Sequence, residues 1–246
     1  MDLSILIPSN KEPHYLNHTI KTYLSADNPK NYEFEILIST PDPSKYSFDD
    51  PRIKVYEDIK LQNYQDVRLF YYPNKVDRNQ AENYIPNVGL LYNNLYYKSS
   101  GKFIFFTADD FGVEPNFVTA VIEHGLSDEI QSRRFKLFAL EHRGHPHWPM
   151  KPFNWPILGT PVIDRDTIEN ELNGKIMRES FYHHYVDTWL TYYVAKLERP
   201  GTIFTGTGMI SPGGATPKTP MYDGLDEEKW QSLMDDMERG INVPYA

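Results

Sequence analysis

Short apolar runs alternate with stretches of helical periodicity at the start of the chain. Residues 3–7 form an apolar run that Pro8 closes, which predicts a buried strand. Apolar and aromatic side chains then recur at helical spacing over residues 15–24, and residues 34–39 predict a second strand. A strand, a helix and a strand in this order predict a βαβ unit with parallel strands.

The same patterns predict the remaining elements of the chain. A third short strand is expected at residues 52–56, and the polar and aromatic segment 57–86 is expected to form loops and turns. Asn87 is placed to cap a helix over residues 88–98. The other expected elements are a helix that starts at Pro115 and stops at Gly125, strands at residues 135–141 and 157–163, a short helix from Asp164 or Asp166 to Gly174, a helix over residues 186–197 with one apolar face, a mobile loop at residues 201–220 and a last helix over residues 227–239.

Residues 101–111 stand out because a continuous apolar and aromatic run ends in two adjacent carboxylates. The run follows Gly101 and predicts a fully buried strand, and Asp109 and Asp110 come directly after it. Two acids at the end of a buried strand repel each other, so they need a cation or several hydrogen-bond donors. Ligands of open α/β sheets bind beyond the carboxyl ends of the strands. The pattern predicts a metal site, and the alternative is a solvated turn before the helix at Pro115.

Composition narrows the possible chemistry. The 246 residues are 14% aromatic and include no cysteine, so disulfides, thiolate metal ligands and cysteine nucleophiles are excluded, and a metal would bind to oxygen or imidazole. The net charge of -9 argues against general electrostatic binding to nucleic acid or anionic membrane. The N-terminus lacks the pattern of a signal peptide, and no apolar stretch approaches the roughly 20 residues of a membrane-spanning helix. A soluble, cytoplasmic protein without a transmembrane segment is expected.

Four sequence features follow one another in a recognisable order. They are the strand that leads into Pro-Ser-Asn-Lys-Glu at residues 8–12, the Glu-Ile-Leu-Ile of the second strand, the residues 89–94 ahead of Ser-Ser-Gly-Lys-Phe-Ile, and the acidic pair. Together they resemble the family 2-type glycosyltransferases of the GT-A fold, over about the first 120 residues. This resemblance implies an α/β fold: a single GT-A domain over residues 1–246, in which a mostly parallel central sheet is flanked by helices. It also implies a Rossmann-like, nucleotide-sugar-binding half at residues 1–111 and an acceptor-binding half with a C-terminal helix at residues 112–246.

The resemblance assigns several residues to the nucleotide-sugar donor. Pro8, Ser9 and Glu12 match the loop after the first strand, whose backbone holds the nucleotide base in the family. Asp42 lies near the position of an acid that follows the second strand and contacts the base. Asp109 is assigned to the ribose.

A metal ligand also follows from the resemblance. Thr107-Ala108-Asp109-Asp110 resembles the family's DxD-type motif, and this match assigns Asp110 to a Mn²⁺ or Mg²⁺ ion. A divalent cation with oxygen ligands can neutralise the charge of a departing nucleotide diphosphate. One carboxylate, diphosphate oxygens and water would complete the metal's ligands.

A catalytic base is expected near the start of the helix at residues 186–197. Asp187 resembles the late catalytic acid of the family, and an inverting transfer needs a base that takes the proton of the acceptor hydroxyl. The helix dipole alone also favours an acid at such a position. His183 and His184 precede Asp187 at helical spacing and would orient it, reach the metal or only pack. Arg78 is a candidate partner of the diphosphate, and the alternative is an ordinary surface charge. Trp155 is a candidate sugar-stacking residue, and the alternative is packing within its loop.

The resemblance thus implies a metal-dependent glycosyltransferase. It would move a sugar from a nucleotide-diphosphate sugar to a hydroxyl acceptor, with inversion at the anomeric carbon. The expected donor is a UDP-sugar, and the expected acceptor is a glycan. Three alternatives remain open: the same transfer onto a modified nucleic-acid base, as in virus-type DNA glycosyltransferases, a nucleotidyltransferase, and a nucleotide-sugar-binding module without catalysis.

Overall fold

The apolar runs of the sequence form the strands of one large sheet. The computed structural model describes residues 1–9, 13–41, 66–72, 87–143, 149–150, 155–156, 160–180, 186–197, 203–210 and 220–239. The strands in these ranges are β1 Leu3–Pro8, β2 Phe34–Pro41, β3 Val67–Tyr72, β4 Phe103–Phe106, β5 Gly112–Val113, β6 Leu137–Arg143, β7 Pro149–Met150, β8 Trp155–Pro156, β9 Pro161–Asp164 and β10 Ile203–Ile210. The helices are α1 Pro13–Leu24, α2 Val88–Tyr96, α3 Phe117–Gly125, α4 Asp128–Gln131, α5 Arg165–Glu171, α6 Val186–Leu197 and α7 Pro220–Glu238.

Eight strands hydrogen-bond in the order β3-β2-β1-β4-β9-β6-β10-β5, and β7 and β8 pair separately. The pairs β3–β2, β2–β1, β1–β4 and β6–β10 are parallel, whereas β4–β9, β9–β6 and β10–β5 are antiparallel. Only β9 and β5 therefore run against the other strands of this sheet. This mostly parallel mixed sheet with flanking helices confirms the α/β fold class predicted from the sequence.

Two cores lie on opposite faces of the sheet because side chains alternate along each strand. In β1, Leu6 faces the core that α2, α5, α6 and α7 cover, while Ile5 and Ile7 face the core that α1 and α3 cover. Trp189 of α6 is fully buried in the first core, and Phe105 of β4 is fully buried in the second. The central strands are thus apolar on both faces, which is why their sequences read as continuous apolar runs.

The strand register brings several loops together at one edge of the sheet. Leu6 of β1 pairs with Phe106 of β4, and Pro8 pairs with Ser39 of β2. The loop after β4, which carries the acidic pair, therefore lies at the level where β1 ends. This edge is formed by the carboxyl ends of parallel strands, where ligands of such sheets bind.

Two segments that were predicted to be loops contain strands. The interpretation of residues 57–86 as loops is wrong at β3, whose alternating apolar side chains pack on the sheet edge beside β2. The mobile loop predicted at residues 201–220 is wrong at β10, because both ends of this Thr- and Gly-containing segment pair with β6, and its last two residues also pair with β5. A register shift between Phe204 and Gly208 accommodates this unusual strand composition. The strand predicted at residues 52–56 lies outside the described residues.

The helix boundaries agree with the predictions only in part. The cap predicted at Asn87 is confirmed, because its side-chain oxygen accepts a hydrogen bond from the Leu90 N–H at 2.8 Å. The helix predicted to start at Pro115 instead starts at Phe117, with Asn116 as its N-cap. The last helix begins at Pro220, about two turns earlier than the apolar pattern indicated. Within the described ranges, none of the helices has both the length and the apolar character needed to span a bilayer.

Candidate functional site

The carboxylate of Asp109 is held at the edge of the sheet by the end of β1. Its Oδ2 accepts a hydrogen bond of 2.8 Å from Ser9 Oγ, and both residues are buried. The Ser9 N–H donates to the Ser39 carbonyl at 2.7 Å, which fixes Ser9 against β2. The loops that follow β1 and β4 are therefore joined at the site where the sequence predicted ribose binding.

The loop after β4 is fixed from both faces of the sheet. On one face, Thr19 of α1 donates from Oγ1 to the Asp109 carbonyl at 3.0 Å. On the other face, the hydroxyl of Tyr92 in α2 donates to the Thr107 carbonyl at 2.8 Å. All four residues are buried, so these hydrogen bonds form away from water and define the path of the chain into the acidic pair.

A second buried hydroxyl lies at the same edge. Thr40, near the end of β2, is fully buried, and its Oγ1 has no hydrogen-bond partner among the described residues. A buried polar atom without a partner is costly unless a ligand or water satisfies it. Thr40 was not identified from the sequence, where it belongs to the segment just ahead of the candidate Asp42.

Asp110 has the exposure expected of a metal ligand. It is only partly buried, whereas its neighbour Asp109 is almost fully buried. Across the part of the chain that the structure describes, no three acidic or imidazole side chains gather into a complete metal site. Mg²⁺ is usually held by one or two carboxylates together with phosphate oxygens and water. A single partly exposed carboxylate at this edge fits such an ion when a diphosphate supplies the other oxygens.

The segment that leads to α6 is tied to α2 by one asparagine. Asn93 is fully buried, and its Oδ1 accepts from the backbone N–H groups of Ile176 and Met177, both at 3.0 Å. Its Nδ2 donates to the Met177 carbonyl at 2.8 Å and to Glu179 Oε1 at 2.9 Å. Asn87 adds a bond of 2.6 Å from Nδ2 to the Glu179 carbonyl. Helix α2 therefore connects the loop after β4 with the chain that approaches Asp187.

Several candidates are placed only in part. Asp187 is the second residue of α6, as predicted, and its side chain lies outside what the structure describes. Pro8 ends β1 and is partly buried beside Ser9. Trp155 belongs to β8, of which only the backbone is described. The remaining candidates lie outside the described residues: Glu12, Asp42, Arg78, His183 and His184.

The sequence and the fold were compared with known proteins. No family model matches the sequence, and no curated protein matches it. The fold is similar to S. aureus TarS 1-349 in complex with UDP-GlcNAc, with a TM-score of 0.63 and 12% identity over 100% of this chain and 68% of that one. It is also similar to glucosyl-3-phosphoglycerate synthase from Mycobacterium tuberculosis in complex with Mn²⁺, UDP and glucosyl-3-phosphoglycerate, with a TM-score of 0.59 and 14% identity over 98% of this chain and 81% of that one.

A third solved structure is the mannosyltransferase PcManGT from Pyrobaculum calidifontis in complex with GDP-Man and Mn²⁺. It matches with a TM-score of 0.56 and 12% identity over 99% of this chain and 65% of that one. The chain spans 60% of another TarS 1-349 structure and 41% of the longer TarS structure. These neighbours support the predicted GT-A fold. Membership of family 2 remains a prediction.

Proposed function

We propose that the protein is a metal-dependent glycosyltransferase that moves a sugar from a UDP-sugar to a hydroxyl acceptor. The observation that carries the proposal is the position of the acidic pair: Ser9 holds Asp109 at the carboxyl edge of the sheet, and Asp110 is more exposed beside it. Structures with the same fold contain UDP-GlcNAc, GDP-Man with Mn²⁺, and UDP with Mn²⁺.

The donor is proposed to bind along the ends of β1, β2 and β4. The Asp109 carboxylate accepts hydrogen bonds from the ribose hydroxyls, and Ser9 keeps the carboxylate oriented through its bond to Oδ2. Pro8, Glu12 and Asp42 are the proposed contacts of the base, as the family resemblance implies. A preoriented carboxylate loses little conformational freedom when the donor binds, which favours affinity.

Asp110 is the proposed protein ligand of Mn²⁺ or Mg²⁺. When bound, such an ion supplies neutralising charge to the diphosphate that leaves the sugar. Arg78 is the proposed additional positive group for the diphosphate. A divalent cation adds positive charge between the carboxylates of the acidic pair and the diphosphate, so donor binding is expected to depend on the metal.

Transfer is proposed to proceed with inversion at the anomeric carbon. Asp187 takes the proton of the acceptor hydroxyl as the oxygen attacks the sugar from the face opposite the diphosphate. His183 and His184 are proposed to orient this carboxylate, and Trp155 is the proposed surface on which an acceptor sugar stacks. The acceptor is proposed to be a glycan, because a net charge of -9 disfavours a polyanionic nucleic acid.

The function is tested by incubating the protein with UDP-sugars and Mn²⁺ and measuring the released nucleotide. Wild-type protein should release UDP, and Asp110→Ala should lose at least about 100-fold of this activity, as is typical when a charge-stabilising group is removed. Asp128→Ala, at an exposed position in α4, is a matched control and should keep wild-type turnover.

Three results would contradict the proposal. Equal turnover of wild type and Asp110→Ala in Mn²⁺ would remove the metal role of this residue. Release of pyrophosphate from a nucleoside triphosphate, without UDP release from any UDP-sugar, would identify a nucleotidyltransferase instead. Metal-dependent UDP binding without turnover across acceptors would identify a binding module.

A further inference from the structure

We infer that three hydroxyl-bearing residues of α1, namely Thr19, Thr22 and Tyr23, are positioning residues for the acidic loop. They hold the backbone on both sides of Asp110, and so set where the predicted metal ligand and the Asp109 carboxylate lie. This inference rests on the proposed function of that loop. The sequence predicted only a helix over residues 15–24 and assigned no role to these hydroxyls.

Two of the contacts are made by fully buried side chains. Thr19 Oγ1 donates to the Asp109 carbonyl at 3.0 Å, and the Tyr23 hydroxyl donates to the Phe111 carbonyl at 3.3 Å. Both side chains are 0% exposed, and burial raises the pKa of Tyr23, which keeps its hydroxyl protonated as a donor. These two bonds fix the carbonyl groups of Asp109 and Phe111, the residues immediately before and after Asp110.

Thr22 makes the third contact, and its hydroxyl both accepts and donates a hydrogen bond. Its Oγ1 accepts from the Val113 N–H at 3.1 Å, and the same hydroxyl donates to the Thr19 carbonyl at 2.7 Å. The loop also approaches α1 closely at Gly112, where an added Cβ would lie 3.0 Å from Thr22 Cγ2. The end of the acidic loop is therefore seated directly on α1.

The spacing of these residues explains how one helix holds the whole loop. Residues 19, 22 and 23 are three and four positions apart and so share one face of α1. Their partners are residues 109 and 111 of the loop and residue 113 of β5, which directly follows the loop. Because β5 pairs with β10, the far end of the loop is anchored in the sheet. The backbone around Asp110 is bracketed by contacts on both sides.

Packing alone does not require hydroxyl groups at these positions. Valine has nearly the shape of threonine and phenylalanine that of tyrosine, and both would fill the same space without desolvating a polar atom. The hydroxyls instead satisfy carbonyl and N–H groups of an irregular loop, which secondary structure cannot do. Since misplacement of a reacting group by about 1 Å can cost on the order of 100-fold in rate, fixing this backbone has a direct effect on transfer.

The inference is tested with Thr19→Val and Tyr23→Phe, which delete single hydroxyls. Each variant should lower kcat by about tenfold or raise the half-saturating Mn²⁺ concentration by about tenfold, the effect of one lost hydrogen bond in a positioned site. Thr19→Ser restores the hydroxyl and should recover most of the activity. Thr119→Val removes a hydroxyl of α3 that bonds to the Asp27 carbonyl, and this matched control should behave as wild type.

A second measurement does not depend on turnover. Hydrogen exchange of the free protein reports on residues 109–113, and Thr22→Val should speed exchange at the Val113 amide about tenfold because its acceptor is lost. Equal hydrogen-exchange rates of the Val113 amide in wild type and Thr22→Val would overturn the proposed positioning role of Thr22. Melting temperatures separate a local effect from global unfolding.

The outcomes distinguish the two proposals. If wild type transfers sugar and the variants at Thr19 and Tyr23 match it in kcat and in Mn²⁺ dependence, the positioning role is wrong and the proposed function stands. If wild type releases no UDP from any UDP-sugar, the proposed function is wrong, and with it the assignment of these residues to transfer. Loss in Thr19→Val with recovery in Thr19→Ser supports the inference, because a purely steric role would favour valine.

Discussion

Ser9 and Asp109 are 100 positions apart in the sequence, and Ser9 Oγ donates a hydrogen bond of 2.8 Å to Asp109 Oδ2. The contact exists because β1 and β4 are neighbouring parallel strands in which Leu6 pairs with Phe106, and Ser9 and Asp109 follow this pair at the same distance along each chain. A hydrogen bond to a carboxylate is stronger than one between neutral groups. The bond therefore orients the carboxylate without the help of a ligand.

Removal of this hydrogen bond should weaken donor binding. Ser9→Ala is expected to raise the Kd for UDP about tenfold, since a hydrogen bond to a charged group contributes roughly 1.5 to 3 kcal/mol and 1.4 kcal/mol is tenfold. Isothermal titration calorimetry with UDP and Mn²⁺ measures the change. Ser132→Ala, on an exposed turn, is the control. An unchanged Kd for Ser9→Ala would mean that Asp109 does not need Ser9 for its orientation.

Asp187 should affect the chemical step more than binding. Asp187→Asn keeps the size of the side chain and removes its basicity, so UDP affinity should be unchanged while transfer falls by about 100-fold or more, the usual contribution of a general base. Single-turnover transfer and calorimetric UDP binding are measured on the same preparation. Full transfer by the variant would exclude Asp187 as the base.

Glu35 of β2 is buried at the opposite end of the parallel strands. Its Oε1 accepts hydrogen bonds from Ser4 Oγ at 2.7 Å, from the Ser100 N–H at 2.7 Å and from Ser100 Oγ at 3.0 Å, and its other oxygen pairs with Arg68. Burial alone raises the pKa of this carboxyl, but the hydrogen bonds from Ser4 and Ser100 and the Arg68 charge outweigh it and lower the pKa below its ordinary value.

The lowered pKa of Glu35 makes part of the protein's stability dependent on pH. The ionised group stabilises the fold above its ordinary pKa of 4.5, and this contribution is lost as the pH falls through the lower pKa of the folded state. Glu35→Gln should reduce the free energy of unfolding by about 2 kcal/mol at neutral pH and by less in acid. Urea unfolding from neutral pH to pH 3 measures this difference, and a constant difference between the two proteins would contradict it.

His124 of α3 lies between two aromatic rings. Its ring stacks on the Phe204 ring with the ring centroids 4.2 Å apart, and it lies nearly perpendicular to the Phe138 ring with the centroids 4.7 Å apart. Its Nε2 has no hydrogen-bond partner among the described residues. Burial lowers the pKa of His124, the Arg133 charge adds to this effect, and the Glu129 charge opposes it. The lowered pKa favours the neutral form of this imidazole in the folded protein.

Acid should destabilise the fold through His124. Above its ordinary pKa of 6.5, the imidazole is neutral in the folded and the unfolded protein, so it does not make the free energy of unfolding depend on pH. Below 6.5, the unfolded protein binds the proton more readily than the folded protein. The free energy of unfolding therefore falls until the pH reaches the lower pKa of the folded state. His124→Phe should flatten the dependence of the melting temperature on pH just below 6.5. His18→Gln, at an exposed position of α1, is the control for a general loss of histidine. Identical slopes for wild type and His124→Phe would contradict this role.

The sequence predicted the strands that are buried on both faces and the helices that bury one face, because each kind of burial leaves a regular apolar pattern. The runs that became β1 and β4 and the periodicity of α6 are of this kind. The strand β10 was missed because its threonines and glycines are typical of loops, and only the neighbours β6 and β5 make it a strand. Tertiary pairing can override such local preferences.

The candidate site was predictable only in part. The acidic pair was evident because two charges after a buried strand conflict with burial. The partners of Asp109 were less evident: Ser9 was expected to present its backbone to a base, and its side-chain bond to Asp109 depends on strand order, which no local pattern contains. The hydroxyls of α1 were hidden because threonine and tyrosine at helical spacing also suit an ordinary packed face.

The position of β9 has a consequence for synthesis of the chain on the ribosome. Pro161–Asp164 occupies the sheet edge of Phe103–Phe106, although roughly 58 residues separate the ends of the two strands. At about 5 to 20 residues per second, the apolar edge of β4 stays uncovered for roughly 3 to 12 seconds after it leaves the ribosome. An open apolar strand edge readily pairs with another chain. Association between nascent chains through this edge is therefore favoured until β9 has been made and pairs with β4.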